Sequence, residues 1–260
     1  MYSEILYEAK DAVATLTLNR PDKRNPLGPT TLGELLHAIE RAKADPEVRV
    51  IVLTGAGKVF SAGGDLSAFA GRSDGAKSST EVKPGTFVDL NLAFTRVGKP
   101  TVAMVNGHAM AGGLGLVVAC DVALASDEAE FSLPEINVGL WPMMISTNIF
   151  RNVTRKRGLE RMLTGDRITA AEAERIGLIT RALPKASLGA ETAKLAAKLA
   201  AKSPVVMRLG LDAFYATADM ALEPALLELQ QRLFAVLATE DAREGLQAFL
   251  EKRAPKWTGR

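Results

Sequence analysis

The apolar positions in the first half of the chain fall into short runs bounded by glycine, proline and asparagine. Alternating apolar residues and threonines predict a strand at 12–19, and the β-branched run at 48–54 predicts a second, buried strand. The runs at 100–106 and 122–125 predict two further strands. Apolar runs of this length between turn residues are typical of strands in a sheet that is buried on both faces.

Segments with helical spacing separate these strands. Leu32, Leu35, Leu36 and Ile39 share one face of a helix that is expected to start at Thr30 or Thr31 and to end at Ala44. Further helices are predicted at 86–96 and at 112–120, the second directly behind a glycine turn. A recurring order of strand and helix predicts an α/β fold with helices packed on the faces of a sheet.

The composition changes near residue 186. Amphipathic helical spacing then dominates, at 188–201, 205–215, 222–237 and 242–250. These helices have few strands to pack on, so they form a region that packs on the core or on a neighbouring subunit. We therefore expect an α/β core over residues 1–185 and a helical region over 186–260. The polar stretch at 71–85 predicts a mobile surface loop, either a lid or a segment without function.

Composition narrows the classes of function. The chain has 260 residues, 47% of them hydrophobic, and a formal net charge of +2, a balance that argues against a nucleic-acid-binding protein. Cys120 is the single cysteine, so no internal disulfide forms, and its apolar neighbours indicate packing rather than nucleophilic chemistry. No Cys/His/carboxylate cluster has metal-ligand spacing, and no apolar stretch is long enough to span a membrane. We expect a cytoplasmic protein with no metal and neither nucleic acid nor membrane as partner.

Two glycine-containing turns each follow a predicted strand. Residues 60–66 (FSAGGDL) form the first, and residues 106–115 (NGHAMAGGLG) form the second, which opens a helix. Small residues let backbone amides approach a ligand, and a helix N-terminus adds unpaired N–H groups. Two such turns brought together can supply two donors to one developing oxyanion, whereas each one singly reads as an ordinary tight turn. Neither has the Gly-Lys-Ser/Thr ending of a phosphate loop.

These turns and their flanks resemble the enoyl-CoA hydratase/isomerase (crotonase) superfamily. The resemblance runs from about Val13 to Trp257 and is carried by FSAGGDL at 60–66, KPTVAMVNG at 99–107, DVALA at 121–125, PE at 134–135, LTGD at 163–166 and EGLQAFLEKR at 244–253. It implies a crotonase-like spiral of repeated ββα units with a C-terminal helical trimerisation region. It also implies action on enoyl-CoA thioesters, no cofactor beyond the coenzyme A of the substrate, and a homotrimer or homohexamer.

The resemblance implies a role for individual residues. The amides of Ala62 and Gly112 would form the oxyanion hole, and Glu135 would be the acid–base residue. Two of the residues in the next set have an alternative role: Asp65 is a candidate helix cap, and Lys252 is a candidate solvated surface residue. Coenzyme A would be bound by Lys23, Arg24, Asn25, Leu27, Asp65, Leu66, Phe249 and Lys252, together with the two amides. The acyl pocket would be lined by Phe69, Met110 and Trp141.

One departure from the family pattern bears on the reaction. Hydratases of this family use two glutamates; one aligns with Glu135 and the other with Gly115, which cannot transfer a proton. A single carboxylate suits a 1,3 proton shift, so the resemblance favours Δ3,Δ2-enoyl-CoA isomerisation. The apolar run at 141–145 predicts a dry site that raises the pKa of Glu135. Hydration, thioester hydrolysis and a non-catalytic acyl-CoA-binding protein remain the alternatives.

Overall fold

The computed structural model describes residues 2–65 and 86–260. Leu66, Phe69 and the loop expected at 71–85 lie outside these described residues. The strands are β1 (Ile5–Lys10), β2 (Val13–Leu18), β3 (Pro26–Leu27), β4 (Val50–Gly55), β5 (Val59–Ser61), β6 (Gly63–Gly64), β7 (Thr101–Val105), β8 (His108–Met110), β9 (Val122–Ser126), β10 (Glu130–Ser132), β11 (Ile168–Thr169) and β12 (Arg181–Leu183). The helices are α1 (Pro29–Ala44), α2 (Phe87–Arg96), α3 (Gly112–Ala119), α4 (Met143–Asn152), α5 (Arg155–Thr164), α6 (Ala170–Arg175), α7 (Lys185–Ala200), α8 (Pro204–Thr217), α9 (Leu222–Leu237) and α10 (Glu240–Leu250).

A six-stranded sheet in the order β1-β2-β4-β7-β9-β12 forms the centre of the described fold. Its strands from β2 to β12 are parallel, and β1 adds to the edge as the antiparallel partner of β2. Every residue of β4 is buried, as expected for a strand covered on both faces. The predicted α/β class and the four predicted strands are therefore confirmed, each within two residues at its ends.

Strand β1 is not predictable from its pattern of apolar and polar residues. Of its six residues only Ile5 is buried, so the strand lacks the alternation that marks a half-buried edge. The turn that joins it to β2 is made by Asp11 and Ala12, which both have positive φ (51° and 63°). Neither residue is a strong marker of such a turn, although aspartate tolerates it.

A second sheet of four strands, in the order β11-β10-β8-β5, lies beside the first, and β3 pairs with β6. Strands β5, β8 and β10 run parallel to one another. Helix α3 starts just after β8 and is buried from Gly113 to Val118. Phe60, Phe94 and Phe131 are the largest fully buried side chains of the surrounding core.

The start of α1 differs from the prediction. The helix begins at Pro29 with Gly28 as its N-cap, so Thr30 and Thr31 lie in the first turn rather than at the cap. Proline fits this first position because its missing N–H would have no partner there. The Thr31 hydroxyl instead accepts a hydrogen bond from the Gly28 amide at 3.4 Å.

The four helices expected after residue 186 are confirmed as α7 to α10. Ser203 caps α8 by accepting a hydrogen bond from the Val206 amide, and Pro204 occupies the first position of the helix. Helix α7 lies on the six-stranded sheet, where Ala196 and Ala200 join the cluster of buried valines from β4 and β7. The division into a core of 1–185 and a helical region of 186–260 stays a prediction. Among the described helices, none combines the length and the apolar character that a membrane span requires.

Candidate active site

Three parallel strands deliver the candidate residues to one edge of the second sheet. Strand β8 pairs with β5 on one side and with β10 on the other. The chain leaves these strands through Ala62, Ala111 and Leu133, so the segments that follow emerge at the same edge. The Ala111 amide donates to the Ser132 carbonyl at 2.9 Å, which ties the second and third segments together. In α/β proteins the carboxyl ends of parallel strands are the usual place for a ligand.

The two glycine turns lie directly against each other. Gly63 has φ +92°, and a Cβ at this position would lie 2.5 Å from the Ala111 Cβ and 3.1 Å from the Gly112 amide nitrogen. A Cβ at Gly112 would lie 3.6 Å from the Gly64 amide nitrogen. Only glycine allows this approach, both for lack of a side chain and because of the positive φ. The expectation that the two turns meet is therefore confirmed.

Two amides of the first turn are used inside the fold. The Ala62 amide donates to the Arg24 carbonyl at 2.9 Å, and the Asp65 amide donates to the Leu27 carbonyl at 3.1 Å. Neighbouring amides of an extended segment face opposite sides, so the Gly64 amide, next to that of Asp65, faces away from β3. The Gly64 amide nitrogen lies close to Gly112 instead. The prediction of Ala62 as a hole donor is thus corrected: its N–H is already used inside the fold, and Gly64 is the residue whose amide adjoins Gly112.

Gly112 is the first residue of α3, where the helix leaves its amides without intrahelical acceptors. The preceding Ala111 has φ 49° and ψ −127°, an uncommon conformation for a residue with a Cβ. The hydrogen bond from the Ala111 amide to the Ser132 carbonyl holds this sharp turn in place. The positive end of the helix dipole adds to the attraction of Gly112 for a developing negative charge.

Glu135 lies in the first turn of a short 3₁₀ helix (Pro134–Val138), three residues after the end of β10. Its Oε2 atom is buried and has no hydrogen-bond partner in the part of the chain that the structure describes. Burial raises the pKa of the Glu135 carboxyl above its ordinary value, and the residue's own backbone amide opposes this rise. A buried carboxylate oxygen without a partner is costly to the fold and is typical of an acid–base group that faces a substrate.

The position of the second glutamate is filled by other side chains. A Cβ placed on Gly115 would lie 2.8 Å from Cζ of Phe87 and 3.0 Å from Cγ1 of Ile145. Real Cβ atoms do not approach so closely, so no side chain fits here without displacing these two. Phe87 and Trp141 are half-buried and pack against the main hydrophobic core. The side chains next to Gly115 in the described part of the chain are apolar, and the expected dry site stays a prediction.

The residues expected to hold coenzyme A separate into two groups. Lys23 and Arg24 are exposed, at the end of a 3₁₀ turn where Arg24 has φ 64°. Leu27 is buried, and its Cδ1 atom would lie 3.3 Å from a Cβ at Gly112, beside the two facing amides. Asp65 forms an ion pair with Arg20 at 3.5 Å.

Asn25 has a structural role, which corrects its assignment to coenzyme A. It is only 1% exposed, and its Nδ2 donates to the carbonyls of Ala56, Val59 and Phe60 at 2.9 to 3.1 Å. Its Oδ1 accepts from the Arg20 amide at 2.9 Å. All polar atoms of this side chain are therefore used in joining the two segments that flank the first glycine turn.

The remaining candidates lie on the surface or in the core. Phe249 is 82% exposed at the end of α10, and Lys252 is exposed with φ 55°. Met110 is half-buried at the end of β8. His108, at the start of β8, accepts a hydrogen bond at Nδ1 from the Glu130 amide at 3.1 Å. Their roles in coenzyme A or acyl binding stay predictions.

Two further observations concern reactive groups. Burial raises the pKa of the Cys120 thiol above its usual range, in keeping with a packing role. Within residues 2–65 and 86–260 no group of three or more His, Cys, Asp or Glu residues could hold a metal ion. The expectation of a reaction without a metal or separate cofactor stays a prediction.

Sequence reasoning missed the roles of Gly64 and Phe87 at this edge, and it found Ile145 only as part of the apolar run at 141–145, without its contact to Gly115. The alternation of amides along β6 would have indicated Gly64, but a two-residue strand gives no periodic signal. Phe87 and Ile145 belong to no motif, and only the packing of α2 and α4 on α3 brings them to Gly115.

Comparison with known proteins gives matches over almost the whole chain. A family model described as enoyl-CoA hydratase/isomerase matches residues 8–260. The 2,3-dehydroadipyl-CoA hydratase of Escherichia coli (strain K12) is 35% identical over 259 residues, which are 99% of this chain and 100% of that protein. The structure of human enoyl coenzyme A hydratase domain-containing protein 3 matches with a TM-score of 0.91 and 33% identity, covering 98% of this chain and 100% of that one. The enoyl-CoA hydratase of Mycobacterium smegmatis matches with a TM-score of 0.89 and 32% identity, covering 98% and 99%.

Proposed function

We propose that this chain, which belongs to the enoyl-CoA hydratase/isomerase family, is an isomerase that converts 3-enoyl-CoA into 2-enoyl-CoA thioesters. Membership confirms the crotonase-like α/β fold and an acyl-CoA thioester as the substrate class. The observation that carries the finer proposal is a single buried carboxylate oxygen of Glu135, without a partner in the described chain, at the edge where two glycine turns meet. The crowding at Gly115 supports it further, because a second acid has no room there.

In the proposed reaction the thioester carbonyl oxygen accepts hydrogen bonds from the amides of Gly64 and Gly112. Glu135 removes a proton from C2; the C–H electrons form the C1–C2 double bond and the carbonyl π electrons move to the oxygen. The protonated Glu135 then gives this proton to C4, where the C3–C4 π electrons form the new C–H bond. The C1–C2 π electrons become the C2–C3 double bond, and the oxyanion electrons re-form the thioester carbonyl. Each oxyanion donor is worth about 3–4 kcal/mol of transition-state stabilisation. A raised pKa suits a carboxyl that must both take and return a proton.

The proposed coenzyme A site uses the exposed Lys23 and Arg24 for the phosphates and Leu27 beside the thioester. The Asp65 and Leu66 contacts and the acyl pocket of Phe69, Met110 and Trp141 belong to the same proposal. Leu66 and Phe69 lie outside the described residues.

We also propose that the chain assembles into a homotrimer or homohexamer. Helix α9 has no buried residue, and seven of its large apolar side chains are exposed in the single chain: Leu222, Leu226, Leu227, Leu229, Leu233, Phe234 and Leu237. Contiguous exposed apolar surface of this kind usually marks an interface. In such an assembly Phe249 and Lys252 would reach the coenzyme A of a neighbouring subunit. Light scattering on the purified protein tests this proposal, which a monomeric mass at micromolar concentration would overturn.

Hydration of 2-enoyl-CoA is the second candidate, because the E. coli and M. smegmatis relatives are named hydratases. Water addition needs a group that orients water and moves a proton, and two placed carboxylates do this well. Among the described residues of this edge, Glu135 is the one whose carboxylate has a buried oxygen without a hydrogen-bond partner, which favours the isomerase.

A paired assay on the purified protein tests the proposed function. One reaction contains a 3-enoyl-CoA and the other a 2-enoyl-CoA of the same chain length. We expect conversion of the 3-enoyl thioester and hydration slower by about two orders of magnitude, the size of effect that a general acid–base group provides. Hydration as fast as isomerisation would favour the second candidate. Binding of acyl-CoA without either reaction would overturn both.

A further inference from the structure

The ring of Phe87 covers two positions of α3 at once. Its Cε2 atom would lie 3.7 Å from a Cβ at Gly112, and its Cζ atom would lie 2.8 Å from a Cβ at Gly115. Residues three apart lie on the same face of a helix, one turn above the other. The tip of the ring therefore lies between these two positions, beside Gly112 and over the position where a second glutamate would stand.

Hydrogen bonds hold this ring and its neighbour Ile145 in place. The Thr86 hydroxyl accepts from the Asp89 amide at 3.3 Å and so fixes the first turn of α2. Asn91 Nδ2 donates to the Phe87 carbonyl at 2.7 Å, while its Oδ1 accepts from Asn148 Nδ2 at 2.5 Å. Asn148 lies one turn after Ile145 on α4. The asparagine pair thus joins the two helices that close over Gly115, so the packing there is a built feature of the fold.

We propose that Phe87 is a specificity-determining residue, whose ring excludes water and polar substituents from the acyl chain beside Gly112. The ring is half-buried and packs on the core, and its Cε2 atom adjoins Gly112, where the glycine turns meet. An aromatic ring offers neither a proton nor an acceptor for a hydroxyl, and a polar group placed against it loses its hydrogen bonds to water. This inference rests on the proposed function in one respect: the reaction that the ring would prevent is hydration.

Binding measurements test the role of Phe87 without any need for turnover. The affinities of butanoyl-CoA and of 3-hydroxybutanoyl-CoA are measured by calorimetry for the wild type, Phe87→Ala and the control Leu92→Ala. Leu92 is an exposed apolar residue of the same helix. We expect the wild type to prefer butanoyl-CoA about tenfold, the order of discrimination that an apolar site achieves against an added hydroxyl. Phe87→Ala should reduce this preference at least fivefold, and Leu92→Ala should keep it.

Catalysis provides the second arm. Gly115→Glu alone should lower the melting temperature, since its Cβ would meet Phe87 Cζ at 2.8 Å. The double variant Phe87→Ala with Gly115→Glu should regain stability and hydrate 2-enoyl-CoA faster than the wild type by at least tenfold. If Phe87→Ala does not fold, Phe87→Leu replaces it in both arms.

The outcomes separate the two proposals. An unchanged preference between the two thioesters in folded Phe87→Ala would overturn the role of Phe87, whatever reaction the wild type catalyses. A wild type that performs neither reaction, with a preference that Phe87→Ala abolishes, would overturn the isomerase but support the role of Phe87.

Discussion

Replacing Gly112 by alanine tests whether the two glycine turns form an oxyanion hole or are only tight turns. The new Cβ would lie 3.6 Å from the Gly64 amide nitrogen, in the space between the two proposed donors. Its tightest contact, 3.3 Å, is with the Cδ1 end of Leu27, a flexible side chain that can move by a few tenths of an ångström. The fold should therefore accept the methyl group while the oxyanion loses access to one donor.

The expected loss follows from the value of one oxyanion donor. Removing about 3–4 kcal/mol of transition-state stabilisation lowers kcat by about 10² to 10³. The melting temperature should change by less than about 3 °C, which corresponds to about 1 kcal/mol in a chain of this size. Steady-state kinetics with a 3-enoyl-CoA and a thermal melt are the two measurements required.

Two matched glycine variants serve as controls. A Cβ at Gly33, in α1, meets nothing within 4 Å, so Gly33→Ala should keep full activity and raise stability by about 0.5–1 kcal/mol. A Cβ at Gly113 would lie 2.7 Å from the Ser61 Cβ, so Gly113→Ala should lose stability as well as activity. Gly112→Ala with wild-type kcat and an unchanged melting temperature would refute the hole.

Three further predictions concern pH and stability. Because burial raises the pKa of Glu135, the acid limb of kcat/KM should have an apparent pKa above the ordinary value of about 4.3, and a limb at or below that value would contradict its burial. Burial alone would raise the pKa of the Asp241 carboxyl, but hydrogen bonds from Ser203, Thr258 and Gly259 lower it below its ordinary value. The ionised carboxylate therefore stabilises the fold fully above about pH 3.9, and this stabilisation is lost as pH falls through the folded-state pKa. Asp241→Ala should cost about 2–4 kcal/mol at pH 7 and less at pH 2.5, as measured by urea unfolding. Asn25→Ala should lower the melting temperature by about 5–10 °C, since buried carbonyls lose their donor, and a change under 2 °C would show that its bonds are dispensable.

Much of the fold was predictable because its strands are buried runs with clear boundaries. The segments at 48–54 and 100–106 are short, apolar and followed by turn residues, and they form β4 and β7 within two residues. Helices α4 and α5 escaped prediction, since the apolar run at 141–145 is shared between the approach to α4 and its first turn. Helix α5 is rich in basic residues and has only two buried positions, Gly158 and Met162, so its sequence shows little apolar periodicity.

The site was predictable only in its motifs. The glycine turns and Glu135 were found from the sequence, and the structure brings their segments to one edge. The choice of Ala62 over Gly64 failed because it depends on which way each amide faces, a property set by the pairing of β6 with β3. The assignment of Asn25 to coenzyme A failed for a related reason, because no sequence pattern reveals three carbonyls from a distant segment.

The central claim is that one carboxylate, Glu135, moves the proton. The most direct test compares turnover of a saturating 3-enoyl-CoA by the wild type and by Glu135→Gln, with the affinity of each for a saturated acyl-CoA measured alongside. We predict that kcat falls by at least about 10³, in the range expected for loss of a general acid–base group, while the affinity changes less than threefold. A Glu135→Gln variant that keeps kcat within tenfold of the wild type would contradict the role of Glu135 as the acid–base residue.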